Sequence, residues 1–144
     1  MTSGDPRAKP TRIFLVDDHP LIRRALRRLI HSQAELEVCG EAEDAVLAEE
    51  FIRDLKPDMV IMDMALKKGH GLDLLQLVRA ENHRVRILML TATSEISFVE
   101  RALGLGASGY LLKTEDEKEI LAAIFAILKG ERYLSPSLRK KLSW

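Results

Sequence analysis

Residues 12–20 read Arg-Ile-Phe-Leu-Val-Asp-Asp-His-Pro, an apolar run that stops abruptly on two carboxylates and then meets a proline. A run without the apolar/polar alternation of a half-exposed strand is the pattern of a strand covered on both faces. Pro20 suits the first position of a helix, where its missing N–H leaves nothing unsatisfied. The stretch therefore predicts a buried strand, a tight turn and a helix. Outward from it the same unit recurs. Residues 59–62 (MVIM) run into Asp63, residues 86–90 (RILML) run into Thr91, and residues 36–39 (LEVC) and 110–112 (YLL) complete a set of five strands. Apolar residues at helical spacing fill the intervals, at 20–32, 43–55, 72–80, 94–105 and 116–129. Strands alternating with helices predict an α/β fold built on a parallel sheet.

Boundaries follow from local chemistry. Pro57 cannot continue the second helix and marks the turn into the third strand. Ser94 and Thr114 are candidate helix N-caps, with Glu117 three residues after Thr114 as in a capping box. Gly104, Gly106 and Gly130 read as helix terminators. The chain has 144 residues, 47% of them hydrophobic and 31% charged, a globular balance for one domain. Its 22 basic and 22 acidic residues give a formal net charge of zero, which argues against a whole-molecule electrostatic hold on nucleic acid or an anionic membrane. Cys39 stands alone, so there is no internal disulfide, and a reducing compartment fits. No apolar run approaches the ~20 residues of a membrane span, and residues 1–10 lack an apolar signal core. The expectation is a cytoplasmic chain with a flexible tail at 1–11, a folded domain at 12–131, and at 132–144 a linker or the start of a further domain.

The chemistry stands at the strand ends. In an open α/β sheet, ligands bind outside the carboxyl ends of the strands. Asp17 and Asp18 follow the first strand, Asp63 the third, Thr91 the fourth and Lys113 the fifth. Three carboxylates brought together resist full ionisation unless a cation joins them, and a hard divalent ion with oxygen ligands, such as Mg²⁺, meets that need. A carboxylate facing a phosphoryl donor can then act as nucleophile and form an aspartyl-phosphate. The metal, the Lys113 ammonium and the Thr91 hydroxyl would hold the charge on the transferred group.

Over roughly 12–133 the sequence resembles the receiver domain of bacterial two-component response regulators. The likeness is carried by Leu-Val-Asp-Asp-His-Pro (15–20), Val-Ile-Met-Asp-Met (60–64), Gly71, Leu-Thr-Ala-Thr (90–93) and Gly-Ala-Ser-Gly-Tyr-Leu-Leu-Lys (106–113). It implies a flavodoxin-like, doubly wound sheet of five parallel strands in the order 2-1-3-4-5, with helices on both faces. It implies Asp63 as phosphoacceptor for a sensor histidine kinase or phosphotransfer protein. Mg²⁺ would be held by Asp18 and Asp63, by the backbone carbonyl of Ala65, and by Asp17 through water. Lys113 would bind the phosphoryl group, and Thr91 and Tyr110 would form the switch pair, the ring moving inward behind the hydroxyl. Such a chain is a switch with slow self-hydrolysis, not a turnover enzyme. Residues 17–24 and 130–136 are similar to regulators of the NarL/FixJ (LuxR) type, in which a helix-turn-helix domain follows. DNA would then be reached only through that domain, and the chain stops at Trp144 before any such domain, as a truncated chain or a stand-alone receiver would.

One departure is local. The family pattern places Met-Pro three and four positions after the phosphoacceptor, where this sequence has Leu66 and Lys67. Loss of the proline predicts a looser loop, and Lys67 and Lys68 add positive charge near the metal. The first helix sets Ile22, Ala25, Leu26, Leu29 and Ile30 at core-facing spacing, with Arg23, Arg24, Arg27 and Arg28 opposite. The last helix is apolar from Ile120 to Leu128 almost all round, which predicts a homodimer through 116–129 and 20–32. His19 reads as a plain turn residue, with a place on the pocket rim as the alternative, and the four histidines show no metal-ligand spacing. Two other classes compete. A phosphatase of the haloacid dehalogenase type also uses a strand-end Asp, but it needs a second Asp two residues on, where Ala65 stands. A degenerate receiver, acting only by protein contact, rests on the Leu66-Lys67 departure alone.

Overall fold

The computed structural model describes residues 9–144, so most of the expected tail at 1–11 lies outside the described residues. The elements are β1 (Thr11–Val16), α1 (Pro20–His31), β2 (Leu36–Ala42), α2 (Ala45–Leu55), β3 (Met59–Met62), α3 (Gly71–Glu81), β4 (Arg86–Thr91), α4 (Ile96–Gly104), β5 (Gly109–Leu112), α5 (Glu117–Leu128), β6 (Tyr133–Leu134) and α6 (Pro136–Arg139). All strand pairs are parallel, and the sheet order is β2-β1-β3-β4-β5-β6.

The continuous apolar runs have a simple cause. Successive strand residues face opposite sides, and both sides are covered. Ile13, Leu15, Met59, Ile61, Leu88 and Leu111 pack with Leu26, Leu29 and Ile30 of α1 and with Ile120, Ala123, Ile124 and Ile127 of α5. Phe14, Val16, Val60, Met62, Ile87 and Met89 pack on the other side with α2, α3 and α4, through residues such as Ile52, Leu75 and Val99.

The sheet has six strands, a correction to the expected five. A two-residue strand carries no periodicity, and Tyr133-Leu134 next to Ser-Pro reads as a connection. Gly130, at φ +93°, turns the chain back after α5, so that Tyr133 and Leu134 pair with Gly109 and Tyr110 of β5. Ser135, fully buried, donates its N–H to the Tyr110 carbonyl at 3.0 Å and accepts the Leu112 N–H on its hydroxyl at 2.9 Å. Residues 132–144, expected as a linker or the start of a further domain, supply an edge strand and α6, whose Leu138 is fully buried.

Two caps also differ. Asp116, not Thr114, caps α5, accepting from Glu119 N at 2.9 Å; a turn closed by Glu115 N on the Leu112 carbonyl (3.0 Å) uses up Thr114 before the helix begins. At α4 the N-cap position is Glu95 rather than Ser94, with no side-chain bond. Ala25 is exposed rather than core-facing. The apolar strip of α5 is largely covered by its own chain: Leu121, Phe125 and Leu128 are half-buried against the core. Large exposed apolar residues lie elsewhere, at Leu21, Val46, Leu47, Phe51, Leu77 and Trp144.

Candidate functional site

Backbone pairing continues past the strand ends and sets the site. Asp63 N donates to the Val16 carbonyl (3.0 Å), Asp17 N to that of Ala42 (3.1 Å) and Lys113 N to that of Thr91 (2.9 Å). Three strands of one sheet thereby deliver their first loop residues to one edge. There the Lys113 ammonium lies 2.7 Å from Asp17 Oδ2 and 2.7 Å from Asp63 Oδ2, bridging two carboxylates that are each only 3% exposed. Ala65 N reaches Asp63 Oδ1 at 3.3 Å. His19 Nδ1 lies 2.7 Å from Asp17 Oδ1, 3.0 Å from Asp18 Oδ1 and 3.2 Å from Lys113 Nζ. Ligand atoms of Asp17, Asp18, His19 and Asp63 all fall within 4.8 Å of one another.

Two carboxylates against one ammonium leave the pocket short of positive charge, and Asp18 is a third. Burial works against the Lys113 ammonium, but its hydrogen bonds to Asp17 and Asp63 prevail and raise its pKa. Asp18 Oδ1 is sealed from solvent and accepts no hydrogen bond. A buried carboxylate oxygen without a donor is costly unless a cation completes its surroundings. This donor set, mostly oxygen, fits a divalent metal ion.

Thr91 is 1% exposed at the end of β4, but its hydroxyl only meets Thr93 N at 3.5 Å rather than turning to Asp63. Tyr110 is already fully buried. Its hydroxyl donates to the Thr93 carbonyl at 2.6 Å and lies 3.4 Å from Met64 Sδ. Burial, and secondarily the Asp63 charge, push its pKa up. This gives a pH prediction. Above about pH 10 a tyrosine in the unfolded chain ionises while Tyr110 in the folded chain stays protonated, so the folded state binds more protons and stability falls as pH rises. Lys113 acts in the same direction, since its contribution is complete below its unfolded pKa and is lost above it. Urea midpoints should be flat just above neutrality and then drop beyond pH ~10, by up to about 1 kcal/mol per pH unit for each group. Tyr110→Phe should be less stable at pH 7 by about 1 kcal/mol, through loss of the hydroxyl bond, and should fall less steeply in alkali.

The β3–α3 loop is closed despite lacking its proline. Ala65 and His70 form an antiparallel bridge, Gly71 N donates to the Met64 carbonyl (2.7 Å), and Ala45 N to that of Lys68 (2.9 Å). Lys67 points to Glu43, 3.9 Å away, rather than into the acidic cluster. Sequence reasoning missed Arg23 as a support of the site. Its Nη1 donates to the Asp17 carbonyl at 2.6 Å, and its Nε donates to Glu41, which also takes Arg27. Half of the expected arginine face is therefore engaged internally. Nothing in the helical spacing of Arg23 separates it from its exposed neighbour Arg24.

A family profile described as "Response regulator receiver domain" matches residues 13–125. The nitrate/nitrite response regulator protein NarP of Escherichia coli is 36% identical over 137 residues, covering 95% of this chain and 64% of that protein. The chain spans about three-fifths of the length of the curated relatives it matches. Among solved structures, a LuxR-family two-component response regulator from Aurantimonas sp. superposes with a TM-score of 0.89 at 38% identity, covering 94% of this chain and 96% of that one. The signal receiver domain of NarL from Mycobacterium tuberculosis gives 0.81 at 32% identity, with 86% and 100% covered.

Proposed function

The chain belongs to the response regulator receiver family and is of the NarL/LuxR type, and on that premise we propose that it is a phosphorylation switch with Asp63 as its phosphoacceptor. The observation that supports this best is the Lys113 ammonium, 2.7 Å from Asp63 Oδ2 and from Asp17 Oδ2. It anchors one oxygen of Asp63. The other, Oδ1, holds only a 3.3 Å bond from Ala65 N and is the less committed nucleophile. The P–N bond of a histidine-kinase phosphohistidine, or the P–O bond of a small acyl phosphate, breaks as the Oδ–P bond forms, and the donor leaves with the electron pair. Lys113 then has new phosphoryl oxygens to bind and can release Asp17.

Asp18, Asp63 and the Ala65 carbonyl, with Asp17 through water, are the groups that would hold Mg²⁺, which when bound neutralises charge on the transferring phosphoryl group. The Thr91 hydroxyl is one strand end away and is held only by the 3.5 Å contact to Thr93 N, so it is available to turn to a phosphoryl oxygen. Tyr110 then stays packed behind it. Incubation with acetyl phosphate and Mg²⁺ tests the class of function. Uptake of a single phosphoryl group by intact mass, abolished by chelation, is the expected result. Steady release of phosphate from phosphomonoesters would instead make the chain a phosphatase, and no uptake would make it a pure interaction module.

The sensor kinase or phosphotransfer partner, the output domain that would carry DNA binding, and a cytoplasmic setting belong to the same proposal. No helix of the described residues is long and apolar enough to cross a membrane. A homodimer through α1 and α5 is supported by the largely apolar groove between them, lined by Ile22, Ala25, Leu29 and Ile120 together with the charged Lys113 and Glu117. Light scattering should show the mass rising toward a dimer after phosphorylation, and Ala25→Glu should hold it at the monomer.

A further inference from the structure

Within the site just described, His19 is oriented in a way that its position in the turn does not require. It occupies the N-cap position of α1 in extended conformation (φ −97°, ψ 106°), yet its side chain caps nothing. A turn histidine with no further role has its ring in water. Here the ring is 58% exposed, but Nδ1 points inward, at 2.7 Å from Asp17 Oδ1, 3.0 Å from Asp18 Oδ1 and 3.2 Å from the Lys113 ammonium. The His19 backbone N–H also donates to Asp17 Oδ1, at 2.8 Å, so main chain and ring turn to the same carboxylate.

Proton counting shows what this arrangement lacks. Nδ1 has at most one proton for the two carboxylate oxygens it faces, Asp17 Oδ1 at 2.7 Å and Asp18 Oδ1 at 3.0 Å, while the Lys113 ammonium at 3.2 Å calls for a lone pair on the same nitrogen. Asp18 Oδ1, buried and only 3.0 Å from the same nitrogen, is left with no donor. A cation between these atoms removes the conflict. With the imidazole proton on the outer nitrogen Nε2, the Nδ1 lone pair and the Asp18 oxygen both face the ion, and no buried oxygen is orphaned. Ring nitrogens are ligands preferred by first-row transition ions, whereas Mg²⁺ favours an all-oxygen shell.

We propose that His19 Nδ1 is a direct ligand of the cation site, making it a mixed nitrogen–oxygen site that favours first-row divalent transition ions over Mg²⁺. The inference rests on the site reading above and goes beyond it in naming the ligand and the metal preference. Mn²⁺ is the probe. Pulsed electron paramagnetic resonance of the chain with Mn²⁺ should reveal ¹⁴N modulation that disappears in His19→Ala. The same substitution should weaken Mn²⁺ binding by about tenfold or more, in line with what disturbing a metal shell produces, while changing Mg²⁺ binding much less. Wild-type chain that binds Mn²⁺ without nitrogen modulation would overturn the proposal even if His19→Ala proved unstable. So would a His19→Ala chain with an unchanged Mn²⁺-to-Mg²⁺ affinity ratio. If the wild-type chain bound neither ion, this proposal and the metal-dependent switch would both fail, whereas binding of both without nitrogen coupling would leave the switch standing.

Discussion

Replacing Asp63 with asparagine abolishes phosphoryl uptake: after incubation with acetyl phosphate and Mg²⁺, the intact mass of Asp63→Asn stays that of the unmodified chain. The effect is all-or-none because the amide nitrogen and carbonyl that replace the carboxylate are not nucleophiles of comparable strength. The variant should nevertheless fold. An asparagine side chain keeps the size of the native one, and its carbonyl oxygen can still accept from Lys113 or from Ala65 N, the partners Asp63 has now. The substitution also removes one of the carboxylates crowding the pocket, so the metal-free fold should be no less stable than the wild type in a urea titration, while divalent ions should stabilise it less. Asp17→Asn is a useful contrast. It leaves the acceptor intact but takes away one of the two carboxylates on Lys113, so uptake should be slowed and not eliminated.

The second large effect is structural. Gly71→Ala should lower stability by about 3 kcal/mol, at the upper end of what overpacking does, which for a chain of this size is a fall in Tm of about 10 °C. A Cβ at position 71 would lie 2.2 Å from the Asp63 carbonyl oxygen and 2.6 Å from Met64 Cα. Both are backbone atoms and no rotamer change relieves the contact. The chain must open where α3 begins, which would break the 2.7 Å bond from Gly71 N to the Met64 carbonyl. The strain falls directly on the acceptor, so phosphoryl uptake should slow as well. Gly104→Ala is the control. A Cβ there meets nothing within 4 Å, and exchanging glycine for alanine at a helix end without strain should leave stability equal or higher by up to about 1 kcal/mol.

These contrasts also mark what was legible in the sequence. The buried strands could be read directly, because β1, β3 and β4 are covered on both faces and show it as unbroken apolar runs. Asp17 and Asp63 could be placed because each follows such a strand, and Lys113 because it follows the short β5; parallel pairing carries all three to one edge. Elements with weak local signal were missed. β6 has two residues and depends on a glycine turn and on Ser135 bonding β5. The last three residues of β2, Gly40 to Ala42, lack strand character and follow a break in register opposite Ile13 and Phe14. Asp116 displaces Thr114 as a cap because a turn at 112–115 comes first.

At the site, the missing information was directional. Arg23 on a helix and His19 in a turn have the sequence environment of solvated residues, and only the approach of β1, β2 and α1 turns them toward Asp17. The inward position of Tyr110 is of the same kind. Its hydroxyl finds the Thr93 carbonyl in the chain as it stands, where the family resemblance suggests a ring that moves in upon phosphorylation.

The most direct measurement is to locate the phosphoryl group. Chain treated with acetyl phosphate and Mg²⁺, reduced with borohydride to trap the acyl phosphate, and digested for peptide mapping should carry the reduced residue at position 63 and nowhere else. Modification at Asp17 or Asp18, or an unmodified residue 63 in chain whose intact mass shows a phosphoryl group, would contradict the account.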